Sequence, residues 1–414
     1  MSVKILHTAD WHLGKMIYGR SLLEDQAYFL NHIFLPVCDD ERPDAVILAG
    51  DIFDRQIAPV DAIHLFDELI TNLCGKRKIP LIALAGNHDG AGRITLGADL
   101  LRDAGFYYAA RPQPDARPFA LETGGRPVHI YALPYFTPFE ARELLGPPGN
   151  AGESAAPEDT AAGDAAGLAD GDAEPETLRT YDDAYRALLS RIRDHLDPGA
   201  VNLLAAHCYV TGAGVSDGEN PFFIGGSGEV SADVFAGFGY AALGHLHRPQ
   251  TVRPERSGCL IRYAGSPLPY SFDEAGYQKS LTLLEINDSV TVREIPVQPR
   301  RGMRVVRGSL AELEAAPGPA REDYVEVVLE GPPLFEPMAR LRQTYPNILS
   351  FRYGEVPRSE TDNGLKDALR DHTLGDMEIF DAFMRNICGE EPAEDDRRLY
   401  AEAVRRADGE PDIS

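Results

Sequence analysis

Aspartate, asparagine and histidine recur in this chain at one kind of place, the point where an apolar run gives way to a loop. Asp10 and His12 follow "VKILHTA". Asp51 ends "DAVILAGD". Asn87, His88 and Asp89 end "PLIALAGNHD". His207 ends "VNLLAAH", and His245 and His247 end "YAALGHLH". Carboxylate, amide oxygen and imidazole together form a ligand set for divalent cations such as Mn²⁺, Fe²⁺ or Zn²⁺. The absence of cysteine thiolates from the set argues against a structural zinc site. In extended backbone, residues two apart face the same side. Asp10 with His12, and His245 with His247, can then each converge on one ion. Glycines before Asp51, Asn87 and His245 suit tight turns and the close approach of a ligand. A single Asp-x-His has a plainer reading as a polar turn. The ordered series, each member at a strand end, does not.

The runs that carry these residues read as buried strands. Between the early ones lie helical patterns, "LLEDQAYFLNHIFLPVC" and "PVDAIHLFDELITNLCG", the second with Pro59 suited to its first turn and Gly75 to its end. The expected fold is α/β, a layered arrangement with helices covering the sheet faces. In such sheets ligands bind where strands run out into loops at their carboxyl ends. The later runs "LIRYAGS", "SLTLLEI" and "VTVREIPV" have no helices between them and predict a second, more antiparallel sheet.

Three segments are expected. Residues 1–297 form the domain with the polar series. Within it, 147–178 is an Ala, Gly, Pro and acid-rich tract without aromatic or basic residues, and it predicts a disordered surface insertion. Residues 298–375 read as a small α+β capping domain. Residues 376–414 read as C-terminal helices and tail, with Met377, Phe380, Met384 and Ile387 at helical spacing. That stripe fits either packing on its own domain or a helix-in-groove contact with a partner.

The chain has 414 residues and a formal net charge of -25, which excludes a surface that attracts nucleic acid everywhere but not a local basic groove. No apolar run is long enough for a membrane span, and no leader pattern is visible. The 5 cysteines are scattered without CxxC pairing and read as reduced thiols of a cytoplasmic protein.

The order D-x-H, GD, GNHD, H, GHxH resembles the calcineurin-like metallophosphoesterase family. The segments "ILHTADWHLGK", "DQAYFLNHI", "PDAVILAGDIFD", "IALAGNHD" and "YAGSPLPYSFDEAGYQK" resemble, within it, the SbcD-type nuclease subunits of bacterial complexes that process DNA ends and hairpins. The likeness covers roughly residues 1–290 apart from the acidic tract, and the remainder only in layout. It implies a four-layer sandwich of two mixed β-sheets flanked by helices, and two divalent metal ions per chain, manganese first, with magnesium, iron or zinc able to serve. Asp10, His12 and His247 would hold one, Asn87, His207 and His245 the other, and Asp51 would bridge them. His88 would orient the phosphate or protonate the leaving oxygen, with Asp89 orienting His88 or closing its turn. Asp54 stands where some relatives have a histidine near the nucleotide, which puts a second catalytic imidazole in doubt. Lys15, Arg20, Arg93 and Arg248 are the candidate DNA contacts.

The resemblance further implies exonuclease action on duplex DNA in the 3'-5' sense, endonuclease action on single strands and hairpins, and roles in DNA replication, repair and recombination. It implies an SbcC-like ATPase docked on the C-terminal helices and a homodimer, hence a heterotetramer, for which "EDQAYFLNHIF" is a candidate face. No G-x-x-x-x-G-K-[ST] occurs, so ATP dependence would come from that partner. The setting implied is cytoplasmic, on the nucleoid when DNA is bound. Two other readings remain: a phosphatase or small-molecule phosphodiesterase on the same core, and a non-catalytic scaffold.

Overall fold

The structure is a computed structural model. It describes residues 2–414 except 96, 116, 123–124, 147–177, 216–227, 255, 288, 316–321, 333, 355–374, 386–390 and 408–414. The acidic tract therefore lies outside the described residues save for Leu178, as do Ile387 and Cys388. The backbone divides into two compact units, Met1–Arg300 and Arg301–Ser414.

In the first unit β1 (Val3–Thr8), β2 (Ala45–Leu48), β3 (Leu81–Leu84) and β4 (Phe106–Ala109) run side by side in parallel. The chain then builds a second sheet from β5 (Phe119–Leu121), β6 (Val128–Leu133), β7 (Val201–His207), β8 (Tyr240–Gly244), β9 (Gln250–Val252) and β10 (Leu260–Tyr263), in the order β9-β10-β8-β7-β6-β5. Its four inner strands are parallel and its two edges antiparallel. Every residue of β2, β3, β7 and β8 is buried. That is why these strands read as unbroken apolar runs rather than alternating ones.

Three late strands, β10 and the two that follow it, correct the expectation that they form a second, more antiparallel sheet together. β10 joins the second sheet in parallel with β8. β11 (Ser280–Ile286) and β12 (Val290–Pro296) return to the first sheet, β11 pairing antiparallel with β1 and β12 with β11. β11 is buried almost throughout, so it needs neighbours on both sides, and the open side of β1 supplies one. Both sheets are thus mixed and six-stranded.

One apolar layer lies between the sheets, with Ile5, Ile47, Ile82 and Leu284 from the first meeting Ile130, Leu203 and Tyr240 from the second. A second layer joins the other face of the second sheet to the helix Tyr181–Arg193 through Tyr185, Leu188 and Ile192. Over the first sheet lie two helical stretches, Leu23–Glu41 and Val60–Lys76, each with a π turn. Phe66 sits edge-on to Phe106, and Trp11 edge-on to Phe29 and Phe34. The order is helix, sheet, sheet, helix, the expected α/β sandwich.

The second unit has a parallel sheet of β13 (Met303–Gly308), β14 (Tyr324–Leu329) and β15 (Ile348–Tyr353). Helices Leu310–Ala315 and Pro337–Thr344 close its core through Leu313 and Leu341 against Val325 and Val327. Two further helices, Asp376–Phe383 and Glu394–Ala407, pair with each other. Phe380 stacks on Tyr400 at 4.3 Å, and Arg397 donates to Asp381 at 2.9 Å. No helix among the described residues is long and apolar enough to cross a membrane.

Candidate metal centre

β1, β2, β3, β7 and β8 all end at one edge of the sandwich. The loops that leave them carry Asp10 and His12, Asp51, Asn87 and His88, His207, and His245 and His247. The residues singled out in the sequence are therefore brought together, though not by extended backbone. β1 stops at Thr8. Asp10 has φ 54°, His12 φ 45°, Asp51 φ 51° and His245 φ 102°, all positive. Each left-handed non-glycine residue costs about 1–2 kcal/mol. The loops offset this by bonding to one another: Asp10 N–H to Gly50 O at 3.1 Å, His12 N–H to Asp51 O at 2.9 Å, Leu13 N–H to Ile52 O at 2.8 Å. Trp11 turns away into the helix layer, its Nε1–H donating to Thr8 Oγ1 at 2.8 Å.

The glycines serve closeness as expected, but what approaches them is the neighbouring loop. A Cβ on Gly50 would collide with His207 Nδ1, one on Gly86 with Asp51 Oδ1, and one on Gly244 with Ala49 O.

Hydrogen bonds fix the direction of each ligating atom. His207 Nδ1 donates to Ala49 O at 2.9 Å, so a neutral ring presents the Nε2 lone pair, 3.0 Å from Asn87 Oδ1. Asn87 Oδ1 is also 3.1 Å from His245 Nδ1. His247 Nδ1 faces Glu274 Oε1 at 3.0 Å, which turns its Nε2 toward His12 Nε2 at 3.1 Å. Asp51 Oδ1 accepts from His88 N–H at 2.9 Å. Its other oxygen, Oδ2, lies 3.5 Å from His207 Nε2 and 3.6 Å from His12 Nε2, between the two histidine groups. Asp10 Oδ1 accepts from His245 N–H at 2.9 Å, while Asp10 Oδ2 is buried without a hydrogen-bond partner. Lone pairs and carboxylate oxygens thus face each other in a closed space, an arrangement that cations between them would satisfy.

The same crowding drives ionisation apart. Burial pushes the Asp10 carboxyl up to about 7 against the pull of His207. Burial would also raise Asp51, but His207 and His12 outweigh it and hold Asp51 well below the usual carboxylate range. Burial would lower His207, yet Asp51 holds it up at about 9. Burial, reinforced by His207, takes His245 down to about 3. Among the described residues, two groups of side chains could each hold a metal ion by the convergence of their atoms: His12, Asp51 and His88, and Asp10, Asp51 and His207. Asp51 belongs to both. This grouping places Asp10 with His207, and His88 beside His12.

His88 lies at the rim. Its Nδ1 donates to Asp54 O at 2.9 Å, and its ring stands edge-on to His12 at 4.8 Å. Asp89 is buried and accepts from three backbone N–H groups, Ile52 at 3.1 Å, Phe53 at 2.9 Å and Gly86 at 2.9 Å. It binds the Asp51 and Asn87 loops into one block. Burial and the nearby Asp51 raise its carboxyl to about 6.

Of the candidate DNA contacts, Lys15 is engaged: Nζ donates to Asp54 Oδ1 at 2.7 Å and lies 5.3 Å from the Tyr270 ring centre. Arg248 is exposed with its guanidinium 4.8 Å from the Tyr277 ring centre. Arg93 is exposed in the short helix Ala91–Ile94, and Arg20 is half-buried in the strand Arg20–Ser21.

Several residues that matter here were not anticipated. Gln26 Nε2 donates to Trp11 O at 3.1 Å and His12 O at 2.8 Å, while its Oε1 accepts from Gly14 N–H at 2.9 Å. Tyr270 Oη–H donates to Trp11 O, and its ring stands edge-on to both His12 and His247. Buried Glu274 and Lys279 form an ion pair beneath His247. Tyr185 Oη–H donates to His207 O at 3.2 Å. Glu274 and Lys279 do lie in "YAGSPLPYSFDEAGYQK". A carboxylate and an amine among so many apolar and turn residues were the available signal.

Residues 3–249 match the calcineurin-like phosphoesterase family, a span of more than half the chain. The chain belongs to the calcineurin-like phosphoesterase family. Residues 299–387 of this phosphoesterase match the SbcD C-terminal domain, described as the type 5 capsule protein repressor C-terminal domain. Among solved structures it is similar to a dimetal phosphatase from Danio rerio, at 12% identity and a TM-score of 0.40, over 72% of this chain and 98% of that one. It is a metal-dependent phosphoesterase with the fold and paired ligand groups described above.

Proposed function

We propose that this phosphoesterase is a DNA nuclease subunit of the SbcD type. The observation that carries the reading is the pairing of a phosphoesterase domain at 3–249 with an SbcD C-terminal domain at 299–387 in one chain. Asp10, His12 and His247 would hold one divalent cation and Asn87, His207 and His245 the other, with Asp51 between them. When bound, two such cations, manganese first, would activate water and offset charge on the phosphoryl oxygens. The remaining work falls to the chain. Asp10 Oδ2 and Asp51 Oδ2 point their charge inward because Oδ1 of each is taken by a backbone N–H. His88, oriented by Asp54 O, would carry the proton to the departing sugar oxygen through Nε2. Asp89 is a positioning residue that fixes the His88 turn.

The partner reading rests on the C-terminal helices. No residue of the helix Asp376–Phe383 is buried, and Phe383 is 50% and Leu399 62% exposed, which leaves apolar surface for a coiled coil of an SbcC-like ATPase. Homodimerisation, with Glu24–Phe34 as a candidate face, would bring two centres to one DNA end.

The deciding experiment is a Mn²⁺-dependent digest of duplex, single-stranded and hairpin DNA, with and without the ATPase. Cleavage of hairpins and shortening of duplex ends is the expected result. Hydrolysis of bis-p-nitrophenyl phosphate without any cutting of DNA would instead favour the phosphatase or small-molecule phosphodiesterase reading.

A further inference from the structure

The segment 264–279 links β10 of the second sheet to β11 of the first, and it crosses one half of the centre on its way. Ser266 N–H donates to His247 O at 3.1 Å. Tyr270 bonds Trp11 O beside His12. Glu274 Oε1 takes the Nδ1 of His247 at 3.0 Å, and its other oxygen takes Lys279 Nζ at 2.5 Å. Lys279 Nζ also donates to His247 O at 2.9 Å and Ser266 Oγ at 2.8 Å. Glu274 is 0% and Lys279 2% exposed, so neither charge is shared with water.

In the other half, His207 Nδ1 donates instead to the neutral carbonyl of Ala49. A carboxylate behind an imidazole raises the basicity of the nitrogen on its far side, while a carbonyl does so less. Breaking such a support typically weakens metal affinity 10–100-fold at the position it serves.

We propose that this strap makes the two cation positions unequal. Glu274, held in place by Lys279, acts as a positioning residue that strengthens the position containing His12 and His247 and leaves the one containing His207 and His245 untouched. The inference rests on the two-cation reading and adds to it a residue-specific control of one ion.

The test uses the full-length chain titrated with Mn²⁺ by calorimetry, with bound Mn²⁺ counted after gel filtration and its spin coupling read by electron paramagnetic resonance. The wild-type chain should take up a coupled pair. In Glu274→Gln one binding step should weaken about 10–100-fold, with the other step unchanged and the spectrum at intermediate Mn²⁺ turning to that of isolated ions. Equal weakening of both steps, as a general loosening of the fold gives, would overturn the proposal, and so would no change. A wild-type chain that takes up no Mn²⁺ would defeat the two-cation reading itself. Because Glu274→Gln leaves Lys279 buried beside a neutral amide, the double variant Glu274→Gln/Lys279→Met removes both charges together. It should show the same selective loss, and wild-type affinity at both steps in the double variant would overturn the proposal as well.

Discussion

The two halves of the centre are built on different supports. The half with His12 and His247 is held by side chains that arrive from elsewhere: Gln26 from a helix, and Tyr270, Glu274 and Lys279 from the strap. Among the described residues, His207 in the other half is held by Ala49 O, the Gly50 and Gly244 close approaches and the phenol of Tyr185. The first half is tuned by charge and the second by fit. Charge-supported ligands respond to isosteric changes that remove a charge, whereas fit-supported ligands respond to added volume or a lost neutral hydrogen bond.

Four changes would break or sharpen this contrast. The largest effect belongs to Asp51, whose Oδ2 sits between the halves. Asp51→Asn should abolish uptake of the Mn²⁺ pair and lower phosphodiester hydrolysis by about 10³-fold or more, the scale of several kcal/mol of transition-state charge stabilisation. Retention of a coupled pair by that variant would remove the bridge from the comparison.

His88 comes next, because it borders the first half without belonging to either support. His88→Ala should keep both ions and lose about 10²–10⁴-fold in rate. Metal counting beside a rate assay decides this. Loss of one ion would mean that His88 is a ligand of the His12 half, as its closeness to His12 and Asp51 allows.

A third test asks whether the halves share a foundation. His7 on β1 bonds Tyr240 on β8 at 2.9 Å and so ties together the two strands that lead into Asp10 and His245. Burial, then Arg262, holds the His7 ring down at about 3 from an ordinary 6.5. The unfolded chain therefore binds this proton first as pH falls. Stability from His7 is complete above pH 6.5 and is lost toward pH 3, by up to about 1.4 kcal/mol per pH unit. Denaturant melts at pH 7.5 and pH 5 should show a smaller acid loss in His7→Leu than in wild type. An equal loss in both would place the acid sensitivity elsewhere.

The smallest effect is Tyr185→Phe, which removes one neutral hydrogen bond from behind His207. A cost of about 1 kcal/mol in stability is expected, with a few-fold effect confined to the second binding step. A shift in the step assigned to His12 and His247 would contradict the separation of supports.

The strand-end series was legible because each ligand follows an unbroken apolar run, and a buried parallel strand has little other sequence. The helices over the first sheet were legible from their period, although Pro59 proved to be the residue before the first turn of its helix. The return of β11 to the first sheet was not, since an apolar run does not say which open edge it will fill. The left-handed backbone at Asp10 and His12 was hidden too. Aspartate and histidine are enriched at positive φ but mostly lie elsewhere, and the cross-loop bonds that offset the strain join residues far apart in sequence. Gln26 and Tyr270 act by reaching backbone carbonyls, and such partners leave no trace in side-chain pattern.

The place of β11 also sets an order of assembly. β1 lies between β2 and β11, so a growing chain that has not yet made Ser280–Ile286 leaves β1 as an exposed edge. His12 and His247, 235 positions apart, meet across the gap between the sheets, and the strap that steadies them ends where β11 begins. An N-terminal fragment ending between His247 and Ser280 would carry every proposed ligand and still be an open sheet with a sticky border. Competence to hold ions would then wait on Ser280–Ile286, when the strand that covers β1 also draws the strap tight.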